Sequence, residues 1–322
     1  MTEFWQAGAS VQGTSHVLAG KPCEDAHFIA ENPDSGSFVL VACDGAGSER
    51  FAREGAAAVA PAVGKLMLSN AADVMARKLR PAAIIDVAVS TIERLVDEQG
   101  GGAVVSDFAC TLVALLVHDG QAMTCHVGDG AIFVLEGEHP RCISPPDREP
   151  GGGSGTRFVT CCGVQPRMWS YKVPHYWTGF LCVTDGAQPA LINTVTGACS
   201  QLVSRVMNRF DLADTRFERE SLLADVVKSE LAPRKSLDDI TLVGARRAFI
   251  AGVYGCPECK RPTVKRLMNR DGTRYFGWCR ACAHMACAHD ENLEETRRSY
   301  ERVALAAGVP VPVRASVVKK VG

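Results

Sequence analysis

The stretch Phe38-Val39-Leu40-Val41-Ala42-Cys43-Asp44-Gly45-Ala46-Gly47 decides the architecture. Its apolar run is the length and composition of a buried strand. The run breaks at Asp44-Gly45, and an alanine-rich segment follows. The strand therefore carries a carboxylate to its own end, where glycines let the backbone turn and approach another group closely. An Asp-Gly pair in that position offers a hard cation a carboxylate and a bare backbone carbonyl. The same dipeptide also makes an ordinary turn.

Working outward, the device recurs. A second apolar run, residues 180–184, ends at Asp185-Gly186. Glu24-Asp25 stand at the start of an expected strand at 27–30, and Asp238-Asp239 open another at 240–244. Residues 108–127 read as a β-hairpin around Asp119-Gly120, and Asp129 follows in a further Asp-Gly turn before a strand at 131–135. Strands are also expected at 157–162 and 170–173. Helices are expected at 48–68, with Pro61 kinking the helix or starting its second half, and at 81–99, with an apolar face of Ile84, Ile85, Val87, Val89, Ile92, Leu95 and Val96. Two more helices are expected at 197–210 and 219–231. Residues 145–155, rich in Pro and Gly, read as a flexible loop.

Four aspartates, Asp25, Asp44, Asp185 and Asp238, thus stand where strands begin or end. A hydrolase that works with two hard cations needs this arrangement: carboxylates from separate strands converge, one bridges both ions, and water fills most other positions.

The 322 residues suffice for one large domain and a small one. At 47% hydrophobic and 22% charged, the composition is that of a globular chain. The net charge of −1 excludes a globally basic, nucleic-acid-coating surface. No apolar run approaches the ~20 residues of a membrane span. The N-terminus has neither the basic start nor the long apolar core of a signal peptide, so a cytoplasmic location is expected. Of 14 cysteines, nine are scattered through the first 250 residues, mostly within apolar runs, and five fall between Cys256 and Cys287. Reduced thiols are expected.

Residues 5–245 resemble the protein phosphatase 2C (PPM) family of metal-dependent serine/threonine phosphatases, in its bacterial form. The motifs that carry the resemblance are Glu24-Asp25-Ala26, Asp44-Gly45-Ala46-Gly47, Cys110-Thr111, Val127-Gly128-Asp129, Thr184-Asp185-Gly186 and Asp238-Asp239-Ile240-Thr241, in family order. The resemblance implies an α+β fold: two packed antiparallel sheets flanked by helices, an α-β-β-α sandwich. It implies that Asp44 bridges two Mn²⁺ or Mg²⁺ ions, that the Gly45 carbonyl joins it at one, and that Asp185 and Asp238 complete the other. Glu24 and Asp25 would hold metal-bound waters, and Asp129 with Asp185 would serve a third, weaker metal. The implied reaction is in-line attack on phosphorus by a metal-bridging hydroxide without a phosphoenzyme.

Two positions depart from the family pattern. Relatives usually place a phosphate-clamping arginine five residues before Asp25, where this chain has Gly20 beside Lys21. Lysine is a point charge without the bidentate fork. His16 is a second candidate contact for the phosphate. Eukaryotic members often place a histidine general acid after Asp-Gly, where this chain has Ala46.

The C-terminal segment differs in composition. Cys256-Pro257-Glu258-Cys259 and Cys279-Arg280-Ala281-Cys282 form Cys-x₂-Cys pairs separated by 19 residues. Two such knuckles supply four thiolates to one tetrahedral Zn²⁺, a closed and therefore structural site. With a hairpin between them this reads as a zinc ribbon; His284, Cys287 and His289 are alternative ligands. The expected domains are a catalytic domain at 1–245, the ribbon at 246–289, and a C-terminal helix and mobile tail at 290–322. Arg246, Arg247, Lys260, Arg261, Lys265, Arg266, Arg270, Arg274 and Arg280 make the ribbon basic, a docking face for a protein partner, with nucleic acid the less favoured alternative.

The preferred reading is a phosphatase acting on phosphoserine or phosphothreonine proteins, a partner kinase or that kinase's target among them. The alternative is a phosphatase-like protein of weak or no activity that recognises a phosphorylated partner.

Overall fold

The computed structural model describes residues 3–137, 139–147, 155–174, 176–213, 215–234 and 237–248, and the backbone of four short strands beyond them. In chain order the elements are β1 (Glu3–Val11), α1 (Thr14–Ala19), β2 (Ala26–Asn32), β3 (Ser37–Cys43), α2 (Ala52–Ser69), α3 (Ala71–Met75), α4 (Pro81–Gln99), β4 (Leu112–His118) and β5 (Gln121–Val127). Then come β6 (Ala131–Glu136), β7 (His139–Ser144), β8 (Ser170–Lys172), β9 (Trp177–Val183), α5 (Gln188–Leu191), α6 (Leu202–Asn208), α7 (Arg216–Val226) and β10 (Ile240–Ala248). The last four strands are β11 (Val264–Met268), β12 (Tyr275–Cys279), β13 (His284–Cys287) and β14 (Arg314–Val317).

Two five-stranded antiparallel sheets form, in the orders β1-β10-β9-β6-β7 and β2-β3-β4-β5-β8. The two-residue period of a strand sends alternate side chains to opposite faces. In β3, Phe38, Leu40 and Ala42 enter the core between the sheets, where they meet Val113, Leu115, Ile132, Val134, Phe180 and Val243. Val39, Val41 and Cys43 point the other way, onto α2 and α4 through Val59, Val63, Ile84 and Ile92. The second sheet turns Phe133, Leu181, Val183 and Leu242 onto α6 and α7 through Val203, Val206, Met207 and Leu223. The unbroken apolar run of β3 is thus explained by helix on one side and sheet on the other, the four-layer sandwich anticipated from the resemblance.

Helix α4 starts with Pro81 in the first turn and stops at Gly100 with φ 59°, the usual Pro-in, Gly-out asymmetry. Helix α2 continues through Pro61 as one element. It also carries Gly55, where an added Cβ would collide with the carbonyl of Phe108. Because that obstacle is backbone, Gly55→Val is expected to cost about 1–3 kcal/mol, read as a lowered Tm; an unchanged Tm would contradict the close helix-to-turn packing.

The structure corrects several sequence expectations. Residues 157–162 form turns rather than a strand, pinned where the Val159 N–H donates to the Cys110 carbonyl at 2.9 Å. Cys110 and Thr111 precede β4 rather than lie within it, and residues 105–108 are a 3₁₀ turn. Helix α6 begins at Leu202, because residues 198–200 pair back on 191–193: the Asn193 N–H donates to the Ala198 carbonyl at 2.9 Å and the Ser200 N–H to the Leu191 carbonyl at 2.8 Å. Strand β10 runs to Ala248, so Arg246 and Arg247 stand in the main sheet, and Arg246 is buried and donates to the Thr178 hydroxyl. Residues 314–317, expected in a mobile tail, form β14, parallel to β13 in the sheet β11-β12-β13-β14.

The hairpin expected between the cysteine pairs is present, as β11 antiparallel to β12 with Val264 opposite Cys279. Cys256, Cys259, Cys282, His289 and the expected helix at 290–307 lie outside the described residues. Among those residues, no helix is long and apolar enough to cross a membrane.

Candidate metal centre

Each carboxylate is set by the end of a strand and by a hydrogen bond that holds the next turn. Asp44 follows β3 directly. Its N–H donates to the Thr111 hydroxyl at 3.0 Å, and its carbonyl accepts from the Thr111 N–H at 2.8 Å. Gly45 then bridges to Cys110, and the Ala46 N–H donates to the Ala109 carbonyl at 2.9 Å. The turn after β3 is therefore zipped to the segment before β4.

Asp185 opens a 3₁₀ turn after β9, and Gly186 beside it packs so tightly on the Asp239 carbonyl that a side chain there would collide. Asp129 follows β5; its carboxylate accepts from the Thr156 hydroxyl at 2.6 Å, and its carbonyl accepts from the Gln188 amide. Asp25, just before β2, is buried and accepts from the Thr184 hydroxyl at 2.8 Å. Asp238 is exposed, and its carboxylate accepts from the Asp239 N–H at 2.9 Å.

These turns bring Asp44, Asp129 and Asp185 together, with one carboxylate oxygen from each lying within 4.8 Å of the others. Asp129, which the resemblance gives to a third metal, stands in this group with the expected bridging residue. Asp25 and Asp238 are close enough to act on it electrostatically. Burial, then the charges of Asp25, Asp185 and Asp238, push the Asp44 carboxyl well above the usual carboxylate range. Burial raises Asp25 to about 7. Burial, then Asp129 and Asp238, raise Asp185 to about 6.

One oxygen each of Asp25, Asp129, Asp185 and Glu24 is buried without a hydrogen-bond partner. Buried carboxylates that repel one another and leave oxygens unpaired are an arrangement that cations complete. The donors are all oxygen, which suits Mn²⁺ or Mg²⁺.

The other sequence candidates lie along one rim. Lys21 reaches the Gly47 carbonyl at 2.8 Å and stands 3.5 Å from Glu24 Oε1. His16, on α1, has Nδ1 2.9 Å from Asp239 Oδ2 and Nε2 3.5 Å from Glu24 Oε2. Gly20 ends α1 with φ 66°, a left-handed conformation that a bulky residue resists.

Asp239 is the residue sequence reasoning missed. Only 2% exposed, its carboxylate also accepts from the N–H groups of Gly13 and Glu24, each at 2.6 Å. It ties three segments of the rim together. Its signal was present, since the second carboxylate of Asp238-Asp239 faces opposite its neighbour.

A family model described as protein phosphatase 2C matches residues 12–227. No curated protein matches. Solved structures do. The Mycobacterium tuberculosis serine/threonine phosphatase PstP/Ppp is 16% identical, with a TM-score of 0.55 over 77% of this chain and 99% of its own. The PstP catalytic domain in complex with two manganese ions is 18% identical, with a TM-score of 0.54 over 76% and 99%. Staphylococcus aureus Stp1 is 15% identical, with a TM-score of 0.53 over 76% and 94%. At these identities the structural likenesses establish the fold, and it is the family match over two thirds of the sequence, together with the two-sheet sandwich, that places this chain in the protein phosphatase 2C family of serine/threonine phosphatases.

Proposed function

We propose that the protein hydrolyses phosphoserine and phosphothreonine in protein substrates with two Mn²⁺ or Mg²⁺ ions held by Asp44, Asp185 and Asp238, and a third, weaker ion by Asp129 with Asp185. The observation that carries this is the convergence of Asp44, Asp129 and Asp185 from three separate strand ends. When bound, the ions supply the attacking hydroxide and neutralise charge on the phosphoryl group.

The chain's own residues do the rest. Thr111 and Thr184 hold the Asp44 and Asp25 turns by hydroxyl contacts, so the carboxylates are positioned before any ligand arrives. Lys21 places a positive charge at the rim opposite Glu24, where a phosphate monoester approaching the acidic cluster meets an attractive group. With Gly20 in place of an arginine, orientation of the phosphate rests on Lys21, and a weaker grip on the substrate than a bidentate fork gives is the consequence.

For the C-terminal segment we infer a structural Zn²⁺ held by Cys256, Cys259, Cys279 and Cys282, with the ribbon docking a protein partner. Support comes from the Cys-x₂-Cys spacing and the β11–β12 hairpin. About one zinc per chain in the purified protein would agree with it, and none would overturn it.

The test of the catalytic reading is phosphate release from a phosphothreonine peptide. The expected result is none in EDTA and a saturable rate on adding Mn²⁺. Folded protein that binds the peptide yet releases no phosphate with either ion would favour the phosphopeptide-binding alternative that Gly20 and Ala46 suggest.

A further inference from the structure

The rim residues His16, Glu24 and Asp239 form a hydrogen-bonding unit whose bookkeeping does not close within the protein. Asp239 Oδ2 accepts from the Glu24 N–H at 2.6 Å and faces His16 Nδ1 at 2.9 Å, while its Oδ1 accepts from the Gly13 N–H at 2.6 Å. A carboxylate oxygen in this setting accepts, so the neutral imidazole here carries its proton on Nδ1. That leaves Nε2 with its lone pair, facing Glu24 Oε2 at 3.5 Å.

Glu24 is only 7% exposed, and its Oε2 is buried without a hydrogen-bond partner. Two acceptors therefore stand side by side, too far apart to bond and both lacking a donor. They open toward Gly47, the last residue of the Asp44–Gly47 turn: a Cβ placed there would lie 3.5 Å from Glu24 Oε2 and 3.9 Å from His16 Nε2. The other Glu24 oxygen is already occupied by Lys21 Nζ at 3.5 Å, itself anchored on the Gly47 carbonyl.

A pair of adjacent acceptors calls for one ligand with two O–H donors. A water molecule coordinated to a cation fits, because its lone pair is taken by the ion and both of its hydrogens are free to donate. The resemblance already gives Glu24 a metal-bound water; we propose that His16 is its second acceptor, holding that water in the coordination shell of the cation at Asp44, with Asp239 as the residue that fixes the His16 tautomer. This rests on the metal-dependent reading above. His16 then acts on the metal from an element, α1, that contributes none of the proposed ligands and buries no side chain of its own. Glycine at position 47 is what leaves the water room.

The experiment is Mn²⁺ titration by calorimetry on the full chain, with imidazole ¹⁵N spectra of the wild type in EDTA and with Mg²⁺. His16→Ala is expected to weaken Mn²⁺ binding about 10- to 100-fold, the range for partners that orient a metal's ligands. His16→Gln, which returns an acceptor oxygen, is expected to recover part of the loss. In the spectra His16 should carry its proton on Nδ1 without metal, and its Nε2 signal should shift on adding Mg²⁺.

Unchanged Mn²⁺ affinity in His16→Ala, or a proton on Nε2 in the metal-free protein, whether or not Nδ1 also carries one, would overturn the assignment. The wild-type spectra decide the matter even where the alanine variant does not fold. Asp44→Asn separates the two levels of the argument. If it abolishes Mn²⁺ binding while His16→Ala does not alter it, the water-holding role fails alone. If Asp44→Asn leaves Mn²⁺ affinity intact, the metal-dependent function fails with it.

Discussion

Asp44→Asn is expected to lower Mn²⁺-dependent phosphate release by on the order of 10³-fold, the consequence of losing about 4 kcal/mol of charge stabilisation. It is expected at the same time to make the metal-free protein more stable. The two effects have one cause. Burial pushes the Asp44 carboxyl upward, and the charges of Asp25, Asp185 and Asp238 push it further in the same direction. An amide of the same shape keeps the backbone contacts to Thr111, since those use the main-chain N–H and carbonyl of residue 44. It removes a group that in the fold must either hold a proton or add to the repelling charge. In EDTA the variant should therefore melt a few degrees above the wild type, while Mn²⁺, which raises the wild-type Tm, should leave the variant nearly unmoved. A variant that keeps metal-stimulated turnover would remove Asp44 from the proposed centre. A variant less stable than wild type in EDTA would show that the acidic cluster is not under electrostatic strain.

Pairing partners decide which parts of this architecture a sequence reading reaches. Strand β3 and its terminal Asp44 are plain because the apolar run needs no knowledge of what covers it. The β4–β5 hairpin is plain because Asp119 and Gly120 adopt φ 45° and 68° between strands that pair directly, His118 opposite Gln121. Strand β1 is harder. Its centre is Gln6-Ala7-Gly8-Ala9, weak in strand propensity, and it is held by β10 more than two hundred residues away, with Ala7 opposite Gly244. Helix α1 has no apolar periodicity to read, because it buries nothing. Phe158-Val159 looks like strand, yet Val159 is buried by a turn that hangs on Cys110.

At the site, the order of the aspartates carries the family, but the division of labour between Asp238 and Asp239 follows from the fold. One is exposed toward the cluster. The other is enclosed by Gly13, Glu24 and His16, residues that join it only when β1 and β10 pair. The place of Asp129 beside Asp44 is hidden for a similar reason: it depends on Thr156, in a loop, and on Gln188, the first residue of α5, both of which reach back to it from later in the chain.

The second large effect is on stability as a function of pH, and its sign is the reverse of the usual one for aspartate. Asp25 lies at about 7 and Asp185 at about 6 in the fold, against a reference value of 3.8. The folded metal-free chain therefore holds protons that the unfolded chain has already released. Below about pH 4 both states are protonated and the cluster costs nothing. As pH rises toward 7, the folded state must either retain those protons or carry crowded charge, and its stability falls. Each pKa unit corresponds to about 1.4 kcal/mol, so the cluster accounts for several kcal/mol.

Buried His126 works in the opposite direction. Burial, then the neighbouring Arg167, lowers it to about 3, so its contribution is present above pH 6.5 and is lost as pH falls. An absolute melting curve mixes the two. The difference between Mn²⁺-loaded and EDTA-treated protein does not, because His126 contributes equally to both. That difference is expected to be small at pH 5 and to grow to on the order of 10 °C by pH 7.5, since a domain of this size gains about 2–4 °C per kcal/mol and deprotonated ligands bind the ion more tightly. A gap in Tm that stays constant from pH 5 to 7.5 would mean that the metal does not act on the raised carboxylates of Asp25, Asp44 and Asp185.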